Sequence, residues 1–293
     1  MPMPPSPALS LETLRAAIVA RFPELADAHF SLLTEGWDSI GVDIDDQWIC
    51  KFPRQERAEA ALRREVALLG IIRPAVSMPL PDMTLYESPM TFTRHRKLAG
   101  EHLLTADYER LDDSQRQQLA EAMGRFYGQL HRLDPTPLRA AGARDIYDWT
   151  DPSGILHRAL PHLTDGLDRA AQLLVTAYLA LPPDPLGTTF GYFDGHGWNM
   201  AFDHVAGRLN GLYDFGDSGF GSVHREFVYG SFVSLDLTAR TIAAYEAASG
   251  RQIDRARINL LTGMLRLWEL AGEAGTENAP VMLKGFQRWA AAQ

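Results

Sequence analysis

Two different residue periods divide the chain near Gly100, and that change limits the folds open to it more than any other feature. From Phe30 to Leu98 the apolar residues come in short runs: FSLLTEGW, IGVDID, QWICKF, MTLYES and MTFTRHRKL. Turn-forming residues separate them, which is the pattern of antiparallel hairpins. One helical stretch interrupts the series. In RAEAALRREVALLGII the residues Ala60, Leu62, Val66 and Leu69 recur at roughly helical spacing, and Pro74 ends the pattern. A further helix, LETLRAAIVARF, precedes the first run and is capped by Ser10. After Gly100 the helical period takes over, in SQRQQLAEAMGRFYGQLHRL, LDRAAQLLVTAYLAL, TIAAYEAASG, RARINLLTGMLRLWELAGEAG and the last residues. The expected class is α+β. A small antiparallel sheet occupies residues 1–98, with 1–9 as a frayed tail, and a larger, mostly helical region occupies 99–293.

Composition narrows the possible partners. With 293 residues, 46% of them hydrophobic, the chain can bury a sizeable core. The net charge of −9 is spread along the chain, and the best basic cluster is only Arg94-His95-Arg96-Lys97. A nucleic-acid partner, which calls for a basic face, is therefore not expected. No apolar run reaches the roughly 18 residues that cross a bilayer. The opening MPMPPSPALS lacks the basic and apolar segments of a secretion signal, and the lone Cys50 requires no oxidising compartment. These features point to a cytoplasmic protein without a membrane partner.

Chemistry concentrates in one polar, glycine-rich insert between Thr188 and Phe220. In GYFDGHGWNMAFD, Asp194 and Asn199 are five residues apart. A carboxylate that takes a hydroxyl proton, followed by an amide oxygen for a divalent metal, fits phosphoryl transfer. The plain alternative is a structural loop. In GLYDFGDSGFG, Asp214 follows an apolar run and Gly216 permits a sharp turn, which makes Asp214 a candidate second metal ligand. Each motif alone is common; strand-Asp-Phe-Gly twenty residues after the first Asp is specific. Upstream, Lys51 in ICKFPR offers an ammonium to nucleotide phosphates, and Glu65, fourteen residues on, is placed to hold it by an ion pair. Gly36, Ser39 and Gly41 in TEGWDSIG form a candidate loop over the phosphates.

Taken in order, the Ser39 loop, the KFPR lysine, the RREVALL glutamate, D-G-H-G-W-N and Y-D-F-G-D resemble the aminoglycoside phosphotransferase family. That family has the protein-kinase-like fold and includes choline-kinase-like small-molecule kinases. The resemblance runs from about Trp37 to the C-terminal helices. It implies two lobes with ATP between them, Mg²⁺ as cofactor, and transfer of the γ-phosphoryl group to a hydroxyl of a small molecule. The acceptor it implies is an aminoglycoside or another amino-alcohol or sugar-like metabolite. By motif match it implies Asp194 as catalytic base, Asn199 and Asp214 as Mg²⁺ ligands, and Lys51, Glu65 and Ser39 as nucleotide-binding residues. His196 matches a second histidine of the family's loop and is read as fixing that loop. Thr91–Leu98 is expected to run extended and offer its backbone to the adenine edge.

Three departures stand out. The family's H-G-D is Tyr192-Phe193-Asp194, Trp198 replaces a small residue before Asn199, and the usual D-P is Ser222-Val223. Glu226 stands where an acid is usual and is expected to anchor the catalytic loop, with His224 and Arg225 at the surface. Two competing readings remain: a catalytically weak nucleotide-binding relative, and a metallohydrolase built on Asp194, His196, Asp214, Asp217 and His224. The spread acidity, with Asp217, Glu269 and Glu273, favours a cationic acceptor. The plainer view of Glu269 and Glu273 is a solvated helix face.

Overall fold

The computed structural model describes residues 10–33, 39–164 and 166–293. The expected tail over 1–9 and Gly36 of the candidate phosphate loop lie outside the described residues. In chain order the elements are α1 (Leu11–Arg21), β1 (Phe30–Leu33), β2 (Ser39–Ile44), β3 (Trp48–Pro53), α2 (Glu56–Ile72), β4 (Thr84–Tyr86) and β5 (Phe92–Arg96). Next come α3 (Thr105–Arg110), α4 (Asp113–Leu130), α5 (Pro135–Ala140), β6 (Arg144–Asp145), α6 (Pro152–Ala159), α7 (Leu167–Leu179) and β7 (Thr188–Gly191). The chain closes with β8 (Met200–Asp203), β9 (Arg208–Leu212), β10 (Gly219–Ser222), a 3₁₀ segment (Val223–Phe232), α8 (Leu235–Ser249), α9 (Arg255–Gly272) and α10 (Ala279–Ala291). No helix among the described residues is long and apolar enough to cross a membrane.

These elements sort into two compact units, each discontinuous in sequence. One takes in Met1–His102, Leu133–Ala143 and Asn199–Asp217; the other takes in Leu103–Arg132, Arg144–Trp198 and Ser218–Gln293. The polar insert is thereby divided, with Asp194 in the second unit and Asn199 and Asp214 in the first.

The first unit is built on a five-stranded antiparallel sheet in the order β1-β2-β3-β5-β4. Its strands alternate with period two. Ile40, Val42 and Ile44 of β2 and Cys50 and Phe52 of β3 join Leu14, Ile18 and Phe22 from α1 and its C-terminal end, and Phe92 of β5, in one buried cluster. Burial of such side chains contributes about 1.5–3 kcal/mol each. The intervening residues point the other way, so Lys51, directly opposite Gly41 in the β2–β3 register, faces away from α1. Ser10 caps α1 through its hydroxyl, 3.2 Å from the Thr13 N–H.

In the second unit α9 is the central helix. Leu261, Met264, Leu265, Leu267 and Leu270 share one core cluster with Ile155 of α6, Leu174 of α7 and Phe286 of α10. A three-stranded sheet, β6-β10-β7, adjoins this helical body and pairs Gly191 with Gly219. Helices α3, α5 and α6 and the 3₁₀ segment were not anticipated from the sequence. Pieces of six to ten residues complete too few turns for an apolar period to show.

Candidate active site

In the first unit Lys51, Glu65 and Asp214 meet. The Lys51 ammonium lies 3.2 Å from Glu65 Oε1 and 3.3 Å from Asp214 Oδ1. The ion pair expected from the Lys51–Glu65 spacing therefore forms, and α2 covers the sheet face opposite α1. Glu65 is buried, and its Oε1 also accepts the Phe215 N–H at 3.0 Å. One carboxylate thus ties α2 to β3 and to the Asp-Phe-Gly turn. Burial by itself would lower the Lys51 pKa, but the negative charges of Asp214 and Glu65 outweigh it and hold the ammonium above the usual lysine range. Lys51 is accordingly a fixed cation, well suited to phosphate oxygens.

Asp214 has a left-handed backbone, with φ 64°. For a residue other than glycine that conformation is rare and costs about 1–3 kcal/mol unless the surroundings enforce it. Two backbone contacts enforce it here: Phe215 N–H to Glu65, and Tyr213 N–H to the Asn199 carbonyl at 3.1 Å. The β8–β9 hairpin explains the second. Met200 pairs with Leu212, so Asn199 and Tyr213 follow at its open end, next to Asp214. An amide oxygen and a carboxylate at that end are hard donors of the kind Mg²⁺ takes, the remainder coming from phosphate and water. Asn199 is buried, whereas the Asp214 side chain is 53% exposed.

Ser39 begins β2 opposite Pro53 and shares the sheet face of Lys51, two residues along the strand from Gly41. The Arg64 guanidinium, next to Glu65, donates to the Gly216 carbonyl at 3.4 Å. The expected hinge segment is extended, most of it being β5, which pairs with β3 and β4.

Asp194 belongs to the second unit. Its Oδ1 lies 3.0 Å from His196 Nε2, and both side chains are about one-fifth exposed, at 20% and 21%. The preceding Phe193 is left-handed as well, with φ 55°. Glu226, fully buried, holds this strained stretch: its carboxylate accepts the Phe193 N–H at 2.8 Å and the Tyr192 N–H at 2.9 Å. His131, at the C-terminal end of α4, places Nε2 3.2 Å from the same carboxylate and Nδ1 2.9 Å from the Tyr245 hydroxyl. Two glycines let the loop close down on its supports. A Cβ at Gly195 would lie 2.0 Å from the Tyr127 hydroxyl, and one at Gly197 1.8 Å from the Leu103 carbonyl.

Against this geometry the Tyr192-Phe193 departure becomes intelligible. The Tyr192 ring is buried edge-on to Phe126 at 6.0 Å, and a histidine still meets the loop's anchor, supplied by α4. His131 was not singled out from the sequence. It falls four residues after Tyr127 on the buried stripe of its helix, where a titratable side chain was the available signal.

Three expectations need correction. His224 is not at the surface: it is buried, its Nδ1 2.8 Å from the Asp184 carboxylate and its Nε2 accepting the Asp254 N–H at 3.0 Å. A metallohydrolase would need that imidazole for itself, and the described residues contain no group of three or more His, Cys, Asp or Glu able to hold a metal. Arg225 is also largely covered, 3.5 Å from Asp148 and stacked over Trp149. Glu269 does not sit on a solvated face. It is 13% exposed and 2.9 Å from Arg266, and burial raises its pKa in spite of that partner.

A family model described as the APH phosphotransferase enzyme family matches residues 29–261. Among solved structures, a GDP complex of aminoglycoside 2'-phosphotransferase-IIIa has a TM-score of 0.80 at 17% identity, covering 97% of this chain and 99% of that one. A streptomycin–ATP ternary complex of APH(2")-IIa has a TM-score of 0.63 at 17% identity, with coverage of 94% and 96%. The macrolide 2'-phosphotransferase MphH from Brachybacterium faecium has a TM-score of 0.66 at 18% identity, with coverage of 96% and 98%. A search of curated proteins finds no match. At these identities the structures establish a shared fold, and the family match spans most of the chain. This chain belongs to the APH phosphotransferase enzyme family.

Proposed function

We propose that the protein is a cytoplasmic, Mg²⁺-dependent kinase that moves the γ-phosphoryl group of ATP to a hydroxyl of a small molecule. The observation that carries this reading is the Lys51 ammonium held within 3.3 Å of both Glu65 and a strained Asp214. Relatives of the same fold were solved with GDP, ADP and ATP, and two with kanamycin and gentamicin, which supports a nucleotide and a hydroxyl-bearing acceptor.

Phosphoryl transfer asks a protein mainly for positioning and charge neutralisation. Lys51, oriented by Glu65, binds phosphate oxygens, and Ser39 contributes to the same nucleotide site. Asn199 and Asp214 are the residues that would hold Mg²⁺, which when bound neutralises charge on the phosphates. Asp194 accepts or orients the proton of the acceptor hydroxyl, and His196 keeps its carboxylate in place. The Tyr192-Phe193 departure had favoured a catalytically weak relative, but the buried Glu226 carboxylate fixes both residues through their backbone N–H groups.

Replacing Lys51 tests the nucleotide half of the proposal. Lys51→Met removes a charge-assisted contact of about 1.5–3 kcal/mol, so the affinity for MgATP should fall about 10–100-fold while the far-UV circular dichroism stays the same. Unchanged affinity and rate in that variant would overturn the kinase reading of this unit.

A further inference from the structure

The side chains around Asp194 suit one kind of acceptor better than another. His196, 3.0 Å from Asp194, lies between two aromatic rings, edge-on to Trp198 at 5.7 Å and to Phe232 at 5.8 Å. The margin of this wall is apolar and open to solvent. Trp198 is 46% exposed, and Leu104 is 43% exposed. Leu104 is held there by its neighbours: the Leu103 N–H bonds to the Gly197 carbonyl at 3.0 Å, and the Thr105 hydroxyl to the Phe232 carbonyl at 3.3 Å. Isolated exposed apolar side chains are ordinary, but a group of them beside a candidate catalytic carboxylate marks a binding surface.

Three acidic groups of the same unit already have partners. Glu269 is paired with Arg266 at 2.9 Å, and Arg266 in turn donates to the Ser231 hydroxyl at 3.3 Å. Glu273 accepts the Thr276 hydroxyl at 2.6 Å and the Asn278 amide at 3.3 Å. Asp236 accepts the Tyr108 hydroxyl at 2.6 Å and is 3.0 Å from Arg240. One face of Phe232 is occupied by the Arg266 guanidinium, 4.0 Å from the ring centre. A polycation that recruited Glu269 would draw it away from Arg266 and leave a mostly buried guanidinium without its counter-charge. An uncharged ring with an apolar face meets no such obstacle, because the C–H face of a sugar or lactone packs well on exposed indole.

We propose, resting on the kinase reading above, that the acceptor is a ring-bearing alcohol with an apolar face and at most one positive charge, docked on Trp198, His196 and Phe232. Trp198 is then a specificity-determining residue, and Glu269 serves Arg266 rather than the acceptor.

The test compares acceptors with the protein, Mg²⁺ and ATP. Kanamycin and gentamicin represent polycations; erythromycin and phenyl glucoside represent apolar-faced rings. The better apolar-faced acceptor should exceed both polycations in kcat/KM by about tenfold or more, a margin of the size that packing one aromatic surface supplies. Trp198→Ala should raise the KM for that acceptor by about tenfold and leave the KM for ATP within about twofold. Glu269→Gln should leave the acceptor's kcat/KM within about twofold. A preference for kanamycin or gentamicin that Glu269→Gln abolishes would overturn the inference while sparing the kinase reading. Failure of all four compounds to be phosphorylated, with MgATP bound normally and dependent on Lys51, would also overturn the inference alone. Absence of Lys51-dependent MgATP binding would remove the kinase reading, and the inference with it.

Discussion

Asp194→Asn is expected to bind MgATP as the wild type does and to turn over about 10²–10⁴-fold more slowly, the range that a positioned general base contributes. The substitution is nearly isosteric. Its amide oxygen still accepts from His196 Nε2, which lies 3.0 Å from Asp194 Oδ1, and the backbone bond from His196 N–H to the Asp194 carbonyl is untouched. The loop therefore stays in place, and only the capacity to take a proton disappears. Steady-state transfer to the acceptor, alongside calorimetric nucleotide binding, separates the two effects. A variant that turns over like wild type would show that Asp194 is not the base. A variant that loses nucleotide binding as well would show that Asp194 acts on the nucleotide side.

The largest stability effect should come from Glu226→Ala. This carboxylate is fully buried and serves three groups: the backbone N–H of Tyr192, the backbone N–H of Phe193, and His131. Truncation leaves buried donors without an acceptor at about 1–3 kcal/mol each. It also releases Phe193 from the left-handed conformation it holds at φ 55°. A total loss of about 3–5 kcal/mol follows, comparable to breaking a buried ion pair from one side and a large part of an ordinary domain's 5–15 kcal/mol. Glu226→Gln should lose less, since its amide oxygen replaces one of the two acceptor atoms. Urea denaturation of the three proteins measures this. A loss below about 1 kcal/mol in Glu226→Ala would mean that the loop is anchored elsewhere.

The parts of the site that were legible in the sequence are those whose partners lie on adjacent elements or share a recognisable local pattern. Lys51 sits on a strand with period two and Glu65 on the helix that follows, and their fourteen-residue separation, read together with the Asp194–Asn199 and Asp-Phe-Gly motifs downstream, foresees the 3.2 Å pair. The five strands and the long helices declared themselves through apolar period for the same reason. Contacts between distant segments left no such trace. His131 and Glu226 are 95 residues apart, and nothing local to either announces the other. His224 and Glu269 were misread as surface residues because a charged side chain on a helix or turn is usually solvated. Asp184 and Arg266 are what make their burial tolerable: Asp184 lies 40 residues from His224 and leaves no local trace, whereas Arg266 stands three residues before Glu269 on the same helix, a spacing that marks a pair. The left-handed Phe193 was equally hidden: the residues that visit that conformation are glycine, asparagine and aspartate, and here Glu226 imposes it from outside.

We propose that Asp214, paired with Lys51 and followed by the Phe215 N–H that Glu65 accepts, holds the metal of a metal–nucleotide complex. Calorimetric titration of ATP into the wild type and Asp214→Asn, each with and without Mg²⁺, tests it most directly. Wild type should bind ATP at least about tenfold more tightly with Mg²⁺ than without, since the ion neutralises phosphate charge at a carboxylate. In Asp214→Asn that Mg²⁺ dependence should be lost while the protein stays folded. Equal Mg²⁺ dependence in the two proteins, or wild-type binding indifferent to Mg²⁺, would contradict the account.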